Sequence, residues 1–264
     1  AAAGGDGVAV SWDSARIAAA AARPGVIIIR GFPIDAGVAV DLEVERFWVT
    51  QPGTRFVAAG QDGADVPLNF DPASVVLLRG RVSGNARSTV YLGLALGMSQ
   101  GVIDLGPGQG SYGIAAHPSL RGALTVFRSQ SAGGRTAYPF CLVERPSVEG
   151  PGAADGEPRR GLRQLQLASE TDNAFFRLFG DSTAAAIYLV QLYGAVSDIY
   201  MRELNIRIDL VYARVWPQAN EPFGASLSAF QAYWNANMGS VQRDAAQMLS
   251  GRAELPGEVL VQTE

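Results

Sequence analysis

Gly97-Met98-Ser99-Gln100-Gly101 matches the G-x-S-x-G pattern that presents a serine as a nucleophile. That chemistry needs the serine on a sharp strand-to-helix turn and a histidine later in the chain to take its proton. The residues that follow, VIDLGPGQG, read as strand and turn. The one histidine, His117, sits in Ala116-His117-Pro118, where the proline disfavours helix. A hairpin turn is the better reading of 97–101. Gly108-Gln109-Gly110-Ser111-Tyr112-Gly113 matches G-x-G-x-x-G, but a dinucleotide site requires a helix N-terminus aimed at the pyrophosphate. Tyr112-Gly113-Ile114 reads as strand, so this is a glycine-rich β-turn. Metal is limited by counting. A zinc site built on nitrogen and sulfur takes three or four such ligands, and the chain offers one His and one Cys. No D-x-[DN]-x-[DN]-G run marks a calcium loop.

The elements around these motifs change texture along the chain. Before residue 144, short apolar runs alternate with Gly, Asn, Pro and Ser clusters: Val26-Ile29, Val75-Leu78, Val90-Leu94 and Leu124-Phe127. Such spacing predicts a β-sandwich or barrel-like module, with hairpins at Gly84-Asn85 and Gly106-Pro107-Gly108. Only Ser14 to Ala22 suggests a helix. ERPSVEGPGAADGEPRRG (144–161) is dense in Gly and Pro and reads as a linker. Beyond it, Leu165-Ala168 predicts a strand, and Asp181 or Ser182 can cap a helix. Leu189, Leu192, Tyr193, Val196, Ile199 and Tyr200 form that helix's apolar stripe, and Asn205 suits a left-handed stop. The strand Ile206–Tyr212 and a helix capped by Ser226, with Leu227, Phe230 and Trp234 inward, complete a βαβα order. The expected class is α+β: a β-rich, sandwich-like module at 1–143, the linker, and an incomplete α/β subdomain with a βαβ crossover at 162–264.

Composition narrows the partners. Apolar residues make up 48% of the 264, enough for a substantial core. All 21 basic residues are Arg, and the net charge is −4 without a basic stripe, which argues against nucleic acid. One Cys excludes an intrachain disulfide framework. No apolar run has the length of a membrane span. The chain begins AAAGGDG, without Met or a signal-peptide pattern, so a processed or trimmed amino terminus is expected.

The second half resembles the start of a metzincin catalytic domain of the reprolysin (adamalysin) type. RQLQLASETDNAFFRLFG (163–180) is similar to the family's first strand, closed by Asp172. STAAAIYLVQLYGAVSDIYMRELNIRIDLVYARVW (182–216) is similar to its first long helix and second strand. LSAFQAYWNAN (227–237) looks like the second helix. RDAAQMLSGR (243–252) looks like the third strand and its exit. The β-rich first half then resembles the propeptide module of such proteases, through Val76–Val82, Ser88–Leu92, Gly101–Ile103 and Ser111–Ile114.

The resemblance implies a secreted zinc endopeptidase acting on protein or peptide substrates, in which a zinc-activated water attacks the peptide carbonyl with Glu as base. His-Glu-x-x-His-x-x-Gly-x-x-His is nowhere in the chain. The expectation is therefore a trimmed chain, gene fragment or natural short form that stops before its active site. It would have no catalytic residue and no metal ligand of its own, zinc belonging to the complete protein. Two carry-overs are candidates. Cys141 could be a latency thiol that occupies an open zinc position, or a small apolar filler in a strand. Asp244 matches one ligand of the calcium site of some relatives, although Gln166 stands where that site has Glu. Arg159-Arg160 is either a processing site or an exposed charged pair. The alternative function is a non-catalytic binding protein on the same scaffold. A parallel sheet without its edge strand also predicts that 162–264 alone aggregates.

Overall fold

The computed structural model describes residues 7–95, 97–116, 124–129, 161–224 and 226–252. In chain order the elements are β1 (Val8–Ala9), α1 (Ser14–Ala21), β2 (Val26–Asp35), β3 (Val38–Phe47), β4 (Thr50–Ala59), β5 (Asp65–Pro67), β6 (Val76–Val82), β7 (Thr89–Ala95), β8 (Met98–Asp104), β9 (Ser111–Ala116), β10 (Leu124–Ser129), β11 (Arg163–Thr171), α2 (Asn173–Phe179), α3 (Ser182–Leu204), β12 (Ile206–Val215), α4 (Leu227–Asn237) and β13 (Ala245–Leu249). The class is α+β. One sheet is eight-stranded and antiparallel, in the order β1-β10-β9-β8-β7-β6-β3-β2. It curls until β2 meets β10 and β1, a barrel-like closure that shelters its edges. Leu42, Leu78, Leu92, Ile103 and Ile114 fill its interior and are nearly inaccessible. Each such side chain contributes about 1.5–3 kcal/mol by leaving water.

The expected hairpins are present. Gly84 has φ 75°, and Gly106 and Gly108 have φ 94° and 77°, values at which a Cβ is costly. Ser99 lies in β8 opposite Leu94 in a β7–β8 hairpin turned through Gly97. It is not on a strand-to-helix elbow. Tyr112-Gly113-Ile114 is strand β9, entered from the glycine turn.

The second sheet has the order β13-β11-β12-β4-β5. β11, β12 and β13 are parallel, and α3 connects β11 to β12. Local capping sets its boundaries. Asp181 accepts from Ala184 N at 2.8 Å, Ser226 accepts from Ala229 N at 3.2 Å, and Asn205 is left-handed at φ 55°. Asp172 also caps α2, by accepting from Phe175 N at 2.7 Å, so the chain turns helical straight after β11. That helix was not read from the sequence.

Two findings depart from the sequence reading. First, β4 and β5, which lie within 1–143, leave the curled sheet and join the second one. β4 runs parallel to β12, with Tyr212 opposite Arg55 and Val215 opposite Ala58. β12 is therefore not an edge, whereas β13 has a strand neighbour on one side only among the described residues. Secondly, α3 is buried on two faces. Leu189 and Tyr193 face the second sheet as expected, but Ile199 and Tyr200 are 42% and 36% exposed. Gln191, Gly194 and Asp198 are buried in their place, because the curled sheet covers the face that carries Gln191 and Gly194, while Ser197 is buried against Ile208 of β12. A stripe drawn from apolar residues cannot reveal a second face built of small and polar ones. By length and composition alone, α3 is long and apolar enough for a membrane span. Here it is the core helix between two sheets.

Candidate functional site

The ionisable groups converge at the carboxyl ends of β11 and β12, the end at which open parallel sheets usually bind ligands. The first cluster centres on Arg214, whose side chain is 4% exposed. Its Nη1 donates to Glu170 Oε1 at 3.2 Å and to the Tyr233 hydroxyl at 2.8 Å. Its Nη2 donates to Asp65 Oδ1 at 2.6 Å and to the Gly63 carbonyl at 2.9 Å. Trp216 Nε1 donates to the same Glu170 oxygen at 2.7 Å, and the Tyr212 hydroxyl donates to Asp65 at 2.9 Å. Burial pushes the Glu170 carboxyl above its usual range, while the Arg214 charge and the Trp216 indole donor pull it back. The Tyr212 hydroxyl is raised well above an ordinary phenol, first by burial. The Arg214 guanidinium is raised because Glu170, Tyr212, Tyr233 and Asp65 outweigh its desolvation. It stays charged, with both Nη groups engaged and its buried Nε without a partner.

The second cluster is a clasp on Asp172. Besides capping α2, this buried carboxylate accepts from the Ser250 hydroxyl and from Gly251 N at 3.1 Å. It also lies 3.4 Å from Arg252 Nε, and Arg252 reaches on to Glu221 at 2.9 Å. The exit of β13 is thereby pinned to the end of β11. Gly251 is required by contact: a Cβ there would sit 2.4 Å from the Ala174 backbone.

Asp244 lies at the opposite end of β13. Its Oδ2 accepts from Gln166 N at 2.7 Å and its own N donates to Gln166 O at 2.9 Å. The two positions named for the calcium carry-over are thus neighbours, tied by backbone pairing. Ser99 Oγ is bonded to the Ala95 backbone, donating at 3.2 Å, with no base beside it among the described residues. Cys141, His117 and Arg159-Arg160 lie outside the described residues. No group of three or more His, Cys, Asp or Glu is placed to hold a metal among the described residues. The described residues include neither His nor Cys, so this donor set does not fit zinc. A shallow cleft of about 240 Å³ between Gln51–Arg55 and Ser240–Gln242 is lined by neutral groups apart from Arg55, and Arg55 pairs with Asp65 at 2.7 Å. Sequence reasoning missed Glu170, Arg214 and Asp65. The available signal was an Arg and a Glu placed inside otherwise apolar strands.

Fold and clusters together define an α+β protein with a parallel βαβ unit whose buried charges are consumed internally. No family model matches the chain, and no curated protein matches it. Among solved structures it is similar to metalloproteinase-II from Bacteroides fragilis, with 7% identity and a TM-score of 0.39, over 86% of this chain. The chain spans 64% of that protein's length.

Proposed function

We propose that this chain is the β-rich module and amino-terminal scaffold of a zinc-dependent endopeptidase of the metzincin type, without a hydrolytic centre of its own. The observation that carries the reading is the Asp172 clasp. Asp172 lies in one of the stretches that carry the resemblance (163–180) and Ser250-Gly251-Arg252 ends another (243–252), 78 positions apart from Asp172 to Ser250. They meet in one buried hydrogen-bonded unit. A parallel β13-β11-β12 order with α3 as the crossover supports the same reading. The role of these residues is positional. They fix where the chain leaves β13, the strand beside which a substrate-binding edge and a metal helix would have to be built. Zinc and its ligands belong to sequence outside these residues.

The test is to express the complete reading frame and measure zinc by mass spectrometry alongside cleavage of a quenched casein substrate. One zinc per chain, with cleavage abolished by a chelator, is expected. The 264-residue chain should have neither. A complete protein without zinc and without peptidase activity would overturn the reading in favour of a binding protein on this scaffold.

A further inference from the structure

We infer that the two halves are permanent partners: when the segment between β10 and β11 is cut, the first half stays bound to the second through the β4–β5 arm. The inference does not depend on the peptidase reading. Two sets of contacts on the arm carry it, and a third, between α3 and the curled sheet, adds to the hold. The backbone of β4 completes the edge of β12. Leu210 N donates to Val49 O at 2.6 Å, and Thr54 Oγ1 donates to Leu210 O at 2.8 Å. Removing the arm would strip these bonds from a buried strand, each costing the desolvation of a group left unpaired. Arg214 of β12 takes two of its four oxygen partners, Asp65 and Gly63 O, from the arm. Nearby, Asn220 Nδ2 donates to Gln61 O at 2.9 Å.

The third set lies on α3. Gln191 Nε2 donates to Gly93 O at 3.1 Å and to Met98 O at 2.9 Å, and the Tyr91 hydroxyl donates to Gln191 O. Phe47, Phe56 and Leu77 of the first half share one core with Leu189, Tyr193 and Leu210 of the second. Val57 and Ala59 share another with Trp216 and Trp234. Interfaces of this kind resemble a domain core cut in half, which is the mark of obligate association. The arm is tethered to the curled sheet at both ends, by β3 and β6. A cut elsewhere gives it no freedom to peel away.

The experiment replaces residues 150–156 of the full chain with the recognition sequence of a site-specific protease and cuts the purified protein. Both pieces should co-elute at the position of the uncut 27.8 kDa chain, down to about 1 μM. They should also melt in one transition. Separate elution, or loss of either piece to precipitation, would overturn the inference. Asp65→Ala in the same background should raise the concentration at which the pieces part by about tenfold. Thr54→Val should act in the same direction. If neither substitution moves that concentration, the arm is not what holds the halves, and the inference fails even where co-elution is seen.

Discussion

Replacing Arg214 by Met removes the central cation of the seam while keeping much of its volume. The cost follows from what is left behind. Glu170 is fully buried, and without Arg214 its charge keeps only the Trp216 indole as a donor. Asp65, whose side chain is 22% exposed, can turn to water and adds little. Breaking a buried pair by removing one partner costs about 3–5 kcal/mol, and in a chain of this size that corresponds to a fall of about 10 °C in Tm. The pH dependence has a definite sign. Burial already holds the Glu170 carboxyl above its ordinary 4.5, and Arg214 is the first influence opposing that rise. Without Arg214 the folded-state pKa climbs further. The folded state then binds the proton more tightly than the unfolded state, so stability falls as pH rises from the ordinary carboxyl range through the raised value. Below that range both states are protonated and the penalty vanishes. Urea titrations followed by tryptophan fluorescence should therefore show a loss relative to wild type that is largest at pH 7 and above and smaller near pH 4.5. Glu170→Gln added to Arg214→Met should recover about half of the neutral-pH loss, because the amide carries no charge and still accepts from Trp216. A loss below about 1 kcal/mol, a loss independent of pH, or a double variant as unstable as the single one would refute the account of Glu170 as a buried charge neutralised by Arg214.

Two further outcomes test the positioning of α2 and α3. Asp172→Ala removes a helix cap and two further buried hydrogen bonds at once, and should cost about 3 kcal/mol by denaturant titration. Amide exchange should accelerate at Gly251 and Arg252 more than at Leu210. Gly194→Ala should destabilise despite a gain in helix propensity of about 1 kcal/mol, because the new Cβ would sit 2.8 Å from Tyr91 Oη and 2.9 Å from Leu77 Cδ1. Overpacking of that kind costs about 1–3 kcal/mol, and a raised Tm would show that the α3 contact is looser than described.

What was legible in the sequence was local. Asp181, Asn205 and Ser226 announced helix ends because a cap is satisfied within a few residues of its own position. Alternation along Ile206–Tyr212 announced a strand because the period is intrinsic to it. Val57 and its neighbours were passed over because the partner of that strand lies far along the chain, and no local pattern encodes a pairing of that separation. The second buried face of α3 escaped for a related reason. Gly194 is inward for closeness of approach and Gln191 for its hydrogen bonds, not for hydrophobicity. Asp244 could be found by resemblance, yet only its surroundings reveal that its carboxylate is engaged with Gln166 N. Arg214 and Glu170 lie in apolar strands, where a charge looks like an interruption until its partner from another strand is known.

The arm also sets an order of events during synthesis. Thr54 meets Leu210 across 156 positions, and ribosomes add about 5–20 residues per second. β4 therefore waits on the order of 8–30 seconds outside the tunnel before its neighbour strand is made. Throughout that interval Phe56, Val57 and Ala59 stand on a nascent segment without the surface that will cover them. Translation speed and chaperone supply should therefore govern the yield of folded protein more strongly here than for a chain whose sheets close on contiguous sequence.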